Sequence, residues 1–137
     1  MITVVDTNVI LDVLNDDPRF ASTSIRAMRE ALGDGALMAC DVVWAEVGAW
    51  YAQPEDTAYV MDRFGIRFDA LDPEVAAAAG RVWQRYRSEQ GGRRERMLPD
   101  FLIGTHAWMR ADQFLTRDRG FYRTYFKRLR IVDPSTD

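Results

Sequence analysis

The sequence predicts an α/β fold, a three-layer α/β/α sandwich in which a mostly parallel central sheet lies between two layers of helices. Short apolar segments of strand length alternate along the chain with longer segments whose apolar residues recur at helical spacing. Strands separated by helices form βαβ units, which pair their strands in parallel. No repeat or linker divides the 137 residues, so one domain spanning residues 1–137 is expected.

The predicted strands are short, apolar and bounded by charged or turn-forming residues. The first is the clearest, because the run from Ile2 to Val5 consists of β-branched residues and leads directly into Asp6. Ile66-Arg67-Phe68 alternates in the manner of a half-buried strand. In chain order, the predicted strands span residues 2–6, 36–40, 66–68, 113–116 and 130–132.

The predicted helices carry recognisable start and stop signals. Pro54 and Pro99 suit first helical positions, Gly65 suits a helix end, and Asp41 is the expected N-cap of the third helix. Residues 90–98, QGGRRERML, are predicted to form a flexible basic loop. In chain order, the predicted helices span residues 8–15, 20–32, 42–52, 54–64, 73–89 and 99–109.

Composition excludes several classes of protein. With 47% hydrophobic and 28% charged residues, the chain resembles a globular protein and not a disordered or fibrous one. No apolar run approaches the ~18 residues of a membrane span, and the N-terminus lacks the basic and apolar segments of an export signal. Cys40 is the only cysteine, which excludes an internal disulfide. A cytoplasmic protein without membrane contact is therefore expected.

Charge is distributed unevenly along the chain. Residues 1–80 hold 14 acidic and 5 basic side chains, whereas residues 81–137 hold 7 acidic and 13 basic ones. This asymmetry is compatible with a metal site beside an anion-binding surface, and equally with a surface that only maintains solubility. Lys127 is the only lysine among 18 basic residues. Arginine suits phosphate contacts, but a genome rich in G and C explains the same bias and is the favoured explanation.

Two carboxylates in the first half of the chain are candidate functional groups. Asp6 ends the first strand, where it can cap the next helix or bind a metal. Glu46 lies on a helix that is apolar on almost every side, as buried helices are. A buried glutamate is costly unless it is paired or binds a cation. The alternatives for Glu46 are a bond to an arginine and a side chain that extends to the surface.

Two further carboxylates lie in the second half. Asp100 follows Pro99 in the first turn of a helix, where it complements the helix dipole. Asp118 lies two residues beyond Thr116, which ends a predicted strand. A turn hydrogen bond explains this spacing as well as metal ligation does. Neither residue decides between structure and function alone.

The four carboxylates carry more weight together. Parallel α/β sheets bind their ligands at the carboxyl ends of the strands, where these residues are predicted to lie. Clustered carboxylates repel each other unless a cation neutralises them. Oxygen-only donors favour hard cations, so Mg²⁺ or Mn²⁺ is expected. A divalent ion that activates water suits phosphodiester hydrolysis.

Four segments also resemble, in their order and spacing, the motifs of PIN-domain ribonucleases. More narrowly, the whole chain is similar to the VapC-type toxins of bacterial and archaeal toxin–antitoxin pairs. Asp41 stands where relatives often have Ser or Thr, which is a conservative change of cap. The segments are VVDTNVILDVL, VVWAEV, LPDFLIGTHA and LTRDRGFY.

The resemblance implies a PIN-like sandwich and a role for each motif residue. Asp6, Asp100 and Asp118 would hold Mg²⁺, for which Mn²⁺ can substitute, and Glu46 would assist directly or through water. The ion would orient or deprotonate a water that attacks an RNA phosphate, leaving 3′-hydroxyl and 5′-phosphate ends. The implied partners are the RNA substrate, a cognate VapB-like antitoxin and a second copy of the chain. Supporting positions match Asn8 and Thr116.

Other polar residues have less specific roles. Arg117 and Arg119 flank Asp118 and are placed to meet a substrate backbone. His106, the only histidine, lies six residues after Asp100 on a different helix face and is expected to be structural. Asp12 is expected to face solvent. The basic loop contributes arginines that contact RNA or only solvate the loop, namely Arg93, Arg94 and Arg96.

Two alternative functions are compatible with parts of this pattern. A phosphatase of the haloacid dehalogenase type also begins with an aspartate at a strand end. That class needs a second aspartate two residues later, where this chain has Asn8, and a catalytic lysine, for which only Lys127 is available. The other alternative is a non-catalytic RNA-binding or scaffold module whose carboxylates are structural, and it predicts that metal ions leave stability unchanged.

Overall fold

A computed structural model of the chain describes residues 1–89 and 96–135. These residues form a five-stranded sheet in the order β3-β2-β1-β4-β5, and every neighbouring pair is parallel. The predicted α/β sandwich with a parallel sheet is therefore confirmed. The strands are β1 (Ile2–Val5), β2 (Ala36–Ala39), β3 (Ile66–Phe68), β4 (Gln113–Leu115) and β5 (Ile131–Val132).

Helices connect the strands and follow the predicted order with one addition. The addition is the last helix, which the sequence patterns did not indicate. No helix within the described ranges is long and apolar enough to cross a membrane. The helices are α1 (Thr7–Leu14), α2 (Ala21–Asp34), α3 (Asp41–Gly48), α4 (Pro54–Arg63), α5 (Pro73–Glu89), α6 (Leu98–Arg110) and α7 (Arg119–Tyr125).

Both predicted boundaries of the third helix are wrong. The third helix ends at Gly48 and not at residue 52. Asp41 lies inside its first turn, and Cys40 holds the N-cap position with extended backbone. The Asp41 carboxylate instead accepts a hydrogen bond from the amide of Leu71, at 3.2 Å. Of the predicted basic loop, residues 90–95 lie outside the described residues, and so do Arg93 and Arg94.

The central strand β1 positions the first candidate carboxylate, Asp6, beside the residues that follow β4. Its last residues, Thr3, Val4 and Val5, are fully or almost fully buried, as a strand covered on both faces requires. Because β1 pairs with β4, the residues that follow these two strands lie side by side. The amide of Asp6 donates to the carbonyl of Leu115 at 2.9 Å, so the pairing extends to the first candidate carboxylate.

An aromatic cluster fixes helix α6 against its neighbours. Phe101 is fully buried, and its ring lies 5.1 Å from Tyr86 and 5.3 Å from Phe121, between centroids. Gly104, one turn later, allows close approach, since a Cβ there would lie 2.5 Å from the ring of Phe126. These contacts fix α6, which carries Asp100 in its first turn, against α5 and α7.

Candidate active site

Asp6 is buried at the junction of β1 and α1, with 6% of its surface exposed. One carboxylate oxygen accepts from the amide of Thr7 at 2.8 Å, so Asp6 does cap α1. The other accepts from the hydroxyl of Thr116 at 2.8 Å. Burial raises the pKa of Asp6 to about 7, and the negative charges of Asp100 and Glu46 add to this rise. Ionised Asp6 is therefore a carboxylate that a nearby cation would stabilise.

Thr116 and Asn8 connect the ends of β1 and β4. The Thr116 hydroxyl, fully buried, donates to Asp6 and accepts from the amide of Asp118 at 3.0 Å. The Asn8 side-chain amide lies 3.3 Å from Asp6, and its carbonyl accepts from the amide of Arg117 at 3.3 Å. The two polar side chains thus fix the direction in which Asp6 points.

Replacing Thr116 with valine is expected to destabilise the metal-free protein. Valine keeps the shape but removes the donor to buried Asp6, so the pKa of Asp6 should rise further. Above pH 7, where Asp6 is ionised, the free energy of unfolding should fall by about 1–3 kcal/mol. Urea denaturation measures the stability, and carboxyl NMR titration measures the pKa.

Thr105→Val is the matched control for this substitution. The Thr105 hydroxyl is also buried but has no hydrogen-bond partner among the described residues. Its removal should leave stability unchanged or raise it slightly. A Thr116→Val protein as stable as Thr105→Val at pH 8 would show that the Thr116 hydroxyl does not support Asp6.

Glu46 differs from its prediction, because it is exposed and not buried. Helix α3 has only eight residues and directs Val43 and Val47 into the core, while Trp50 just beyond it is 59% exposed. An apolar sequence on all sides therefore did not produce a buried helix. The Glu46 carboxylate accepts from the hydroxyl of Thr7 at 2.8 Å, which places it beside Asp6 at the open side of the site.

Asp100 and Asp118 approach from α6 and from the turn after β4. Asp100 is half-buried in the first turn of α6. Burial raises the pKa of Asp100, the charge of Asp118 adds to the rise, and the charge of Arg96 opposes it. Asp118 occupies the N-cap position of α7. Both of its carboxylate oxygens accept hydrogen bonds from the Arg96 guanidinium.

Tyr122 is a buried side chain of α7 whose phenol is influenced by the charges of the three aspartates. Its side chain is 1% exposed and its ring packs 4.7 Å from that of Phe114, between centroids. Burial raises the pKa of the Tyr122 phenol well above its usual value, and the charges of Asp6, Asp100 and Asp118 all raise it further. Sequence reasoning missed Tyr122, because one tyrosine in the aromatic run GFYRTYF carries no distinguishing signal.

The donor set fits a hard divalent cation in its chemistry. It consists of carboxylate and hydroxyl oxygens, which Mg²⁺ and Mn²⁺ prefer. Within residues 1–89 and 96–135, however, no three carboxylate, histidine or cysteine side chains are close enough together to hold an ion as they stand. The Asp118 carboxylate is occupied by Arg96.

Arg117 forms an internal ion pair that contradicts one expectation. Its guanidinium donates to both oxygens of Asp12, at 2.7 and 2.8 Å. Asp12 is only 4% exposed and also accepts from the Ser24 hydroxyl, so the prediction that Asp12 faces solvent was wrong. The Arg117 guanidinium also stacks over Phe20, at 4.1 Å. With this arrangement Arg117 holds α1 and α2 to the end of β4.

Arg119 and His106 complete the set of singled-out residues. The Arg119 side chain is 47% exposed, and its Nε lies 3.7 Å from an oxygen of Asp133. His106 is fully buried, and its Nε2 lies 2.7 Å from an oxygen of Asp69. Asp69 follows the edge strand β3, so His106 is held by a different part of the sheet than the carboxylates are.

Comparison with known families identifies the fold. The sequence model of the PIN-domain family matches residues 3–127, which is most of the chain. The chain belongs to the PIN-domain family. The sequence resemblance to this family is thereby confirmed, and Asp6, Glu46, Asp100 and Asp118 all lie within the matched part of this PIN domain.

Solved structures share the fold of this PIN domain over nearly its full length. VapBC2 from Rickettsia felis, bound to promoter DNA, has a TM-score of 0.73 at 17% identity, covering 97% of this chain and 98% of that one. VapBC-1 from nontypeable Haemophilus influenzae has a TM-score of 0.71 at 19% identity, covering 99% and 100%. DNA-bound VapBC from Salmonella typhimurium has a TM-score of 0.66 at 18% identity, covering 98% of each chain. Curated protein sequences give no significant match.

Proposed function

We propose that this PIN domain is a Mg²⁺-dependent endoribonuclease and the toxin of a VapBC-type pair, inhibited by a cognate antitoxin. The observation that carries the proposal is that Thr116 joins Asp6 to the turn that carries Asp118, while Asp100 lies half-buried in the first turn of α6. The three aspartates come from three separate elements, beyond the carboxyl ends of β1 and β4, where parallel sheets bind ligands. PIN domains are generally nucleases, which agrees with this chemistry.

Each residue would have a defined task in hydrolysis. Asp6, Asp100 and Asp118 would hold the ion, while Thr116 and Asn8 keep Asp6 directed into the site. The ion would lower the pKa of a water and neutralise charge on the phosphate. Glu46, exposed and oriented by Thr7, would accept a hydrogen bond or a proton from water at the open side.

The antitoxin partner is supported by the structural neighbours and by an apolar groove. The neighbours include VapBC structures and a toxin–antitoxin complex from Klebsiella pneumoniae, and in each of them one chain aligns with this chain over almost its whole length. Beside Glu46, a groove between α3 and α4 is lined by Trp44, Gly48, Tyr51 and Pro54. An amphipathic antitoxin segment could lie in such a groove and cover the site. A homodimer is part of the same proposal.

Cleavage assays test the nuclease directly. The purified chain should cut structured RNA in the presence of Mg²⁺ or Mn²⁺ and lose activity in EDTA, with 5′-phosphate and 3′-hydroxyl ends in the products. Asp100→Asn should reduce the rate by at least about a hundredfold, because it removes one charged ligand. Cleavage that persists both in EDTA and in this variant would refute the proposed mechanism.

A scaffold with structural carboxylates is the second candidate, because Asp6 caps α1 and Asp118 is paired with Arg96. Metal ions separate the two functions. If the metal site exists only in the folded protein, a free metal concentration of about one hundred times its Kd stabilises the protein by about 2.7 kcal/mol. We therefore expect Mn²⁺ to raise Tm by several degrees. The control is the same protein in EDTA, where Tm should not rise. A Tm independent of metal concentration would favour the scaffold.

A further inference from the structure

Arg96, expected from its place in the basic loop either to contact RNA or to solvate the loop, is instead bound to Asp118 of the acidic site. Its guanidinium binds Asp118 through two nitrogens, one of them at 3.1 Å from Oδ1. The guanidinium also lies 4.5 Å from the ring centre of Phe121. The backbone amide of Arg96 donates to the Tyr86 hydroxyl at 2.9 Å. Arg96 is therefore held on both its backbone and its side chain.

The charge of Arg96 acts directly on Asp118. Two nitrogens of its guanidinium contact the two carboxylate oxygens of Asp118. Both partners of the pair are partly buried, with 33% and 30% of their side chains exposed. A guanidinium in this position neutralises part of the negative charge that a divalent cation would neutralise.

A guanidinium and a divalent ion cannot occupy the same carboxylate lone pairs. A two-pronged arginine–carboxylate contact uses both oxygens, and a cation beside an arginine is repelled by it. In the described residues, no three Asp, Glu, His or Cys side chains stand close enough to hold an ion, and both oxygens of Asp118 are bound to Arg96. Removal of Arg96 from Asp118 is the change that would release this carboxylate.

From this geometry we infer that Arg96 is a built-in counter-ion of the acidic site, and that a divalent metal binds in competition with it for Asp118. The inference rests on the proposed metal-dependent function, since it assigns a residue that controls the same site. Metal affinity would then depend on how tightly Arg96 holds the Asp118 carboxylate.

Calorimetric titration with Mn²⁺ measures this competition without any cleavage assay. Arg96→Gln should bind Mn²⁺ at least about fivefold more tightly than the unmodified chain, the lower limit of a typical coupling between two sites. Arg96→Lys keeps the charge but not the planar fork, and should give an intermediate Kd. A purely structural role for Arg96 predicts the opposite change, because a misplaced Asp118 would weaken binding.

Arg119→Gln is the matched control for charge. It removes a positive charge from the residue next to Asp118, but the Arg119 side chain points to Asp133. Its Kd for Mn²⁺ should remain within about twofold of that of the unmodified chain. Such a change is smaller than the roughly fivefold lower limit of a coupling between two sites. An equal gain in affinity in Arg119→Gln and Arg96→Gln, or an Arg96→Lys protein identical to the unmodified chain, would show that only overall charge matters and would overturn the inference.

Side-chain NMR of the unmodified chain provides a second measurement that needs no variant. The Arg96 guanidinium signals should shift as Mg²⁺ is added, with the same midpoint as metal binding. The guanidinium signals of Arg110 should not shift, because Arg110 lies at the C-terminal end of α6 and pairs with Asp72. Arg96 signals that stay constant at metal saturation would overturn the inference.

The failure of this inference differs from failure of the proposed function. If the unmodified chain binds Mn²⁺ and cuts RNA, but Arg96→Gln binds Mn²⁺ no more tightly, only the role of Arg96 is refuted. If neither protein binds Mn²⁺ while both unfold cooperatively, the metal-dependent nuclease and the inference are refuted together.

Discussion

Asp6→Asn is expected to abolish RNA cleavage while making the metal-free protein more stable. Loss of a charged ligand that the family motif places at the centre of the site should lower the rate by about a thousandfold or more. The stability gain follows from burial, because burial and the charges of two neighbouring carboxylates oppose ionisation of Asp6. Asparagine fills the same space without that charge.

The gain should depend on pH with a definite sign. The pKa of Asp6 rises from 3.8 to about 7 on folding, so the folded state holds its proton more tightly than the unfolded state does. Its stabilising contribution is fully present below pH 3.8 and is lost as the pH rises through about 7. The difference in unfolding free energy between Asp6→Asn and the unmodified chain should therefore widen from pH 5 to pH 8. Its upper limit is roughly 4 kcal/mol.

Urea denaturation at several pH values, in EDTA, measures this difference. Asp62→Asn, on the exposed surface of α4, is the control and should show no such pH trend. Added Mn²⁺ should stabilise the unmodified chain and not Asp6→Asn. An Asp6→Asn protein that is less stable than the unmodified chain at pH 8 would contradict the electrostatic account of this site.

Phe101→Ala should have the largest effect on stability. Phe101 is fully buried and contacts the rings of Trp83, Tyr86, Phe121 and Tyr125. Removal of such a ring leaves a cavity that costs about 3–5 kcal/mol. That is a large fraction of the roughly 5–15 kcal/mol by which a domain is stable. Because Phe101 follows Asp100, Mn²⁺ affinity should fall as well.

Chemical denaturation and Mn²⁺ titration of the same samples test both effects of Phe101→Ala. Tyr59→Ala is the control, because Tyr59 is an aromatic residue on helix α4 with 65% of its surface exposed. It should cost no more than about 1 kcal/mol and leave Mn²⁺ affinity unchanged. A Phe101→Ala protein within 1 kcal/mol of the unmodified chain would mean that the aromatic cluster collapses around the gap.

The sequence was sufficient to predict features that depend on local patterns. The five strands and six of the seven helices follow from apolar runs and from their boundary residues. The proximity of Asp6 and Thr116 follows from the rule that functional groups gather at the carboxyl ends of parallel strands. Confirming it required only that β1 and β4 be neighbours, which they are.

Features that depend on packing between distant segments were not predictable in this way. Glu46 is exposed because α3 is short and only one of its faces meets the core. Asp12 is buried where it pairs with Arg117, 105 residues later, and accepts from the Ser24 hydroxyl of α2. Helix α7 has no helix-start signal beyond Asp118, and Tyr122 stabilises it by packing on Phe114. In each case tertiary contacts outweighed the local pattern.

The pairing of β1 with β4 determines when, during synthesis of the chain, the candidate site can assemble. Asp6 and Glu46 are synthesised early, but Thr116, which bonds to Asp6, lies 110 residues later in the chain. Asp118 follows it, in the last fifth of the sequence. Until β4 inserts beside β1, a nascent chain contains only part of the set of carboxylates and hydroxyls that forms the candidate site. A ribosome therefore completes most of this protein before the candidate site can assemble.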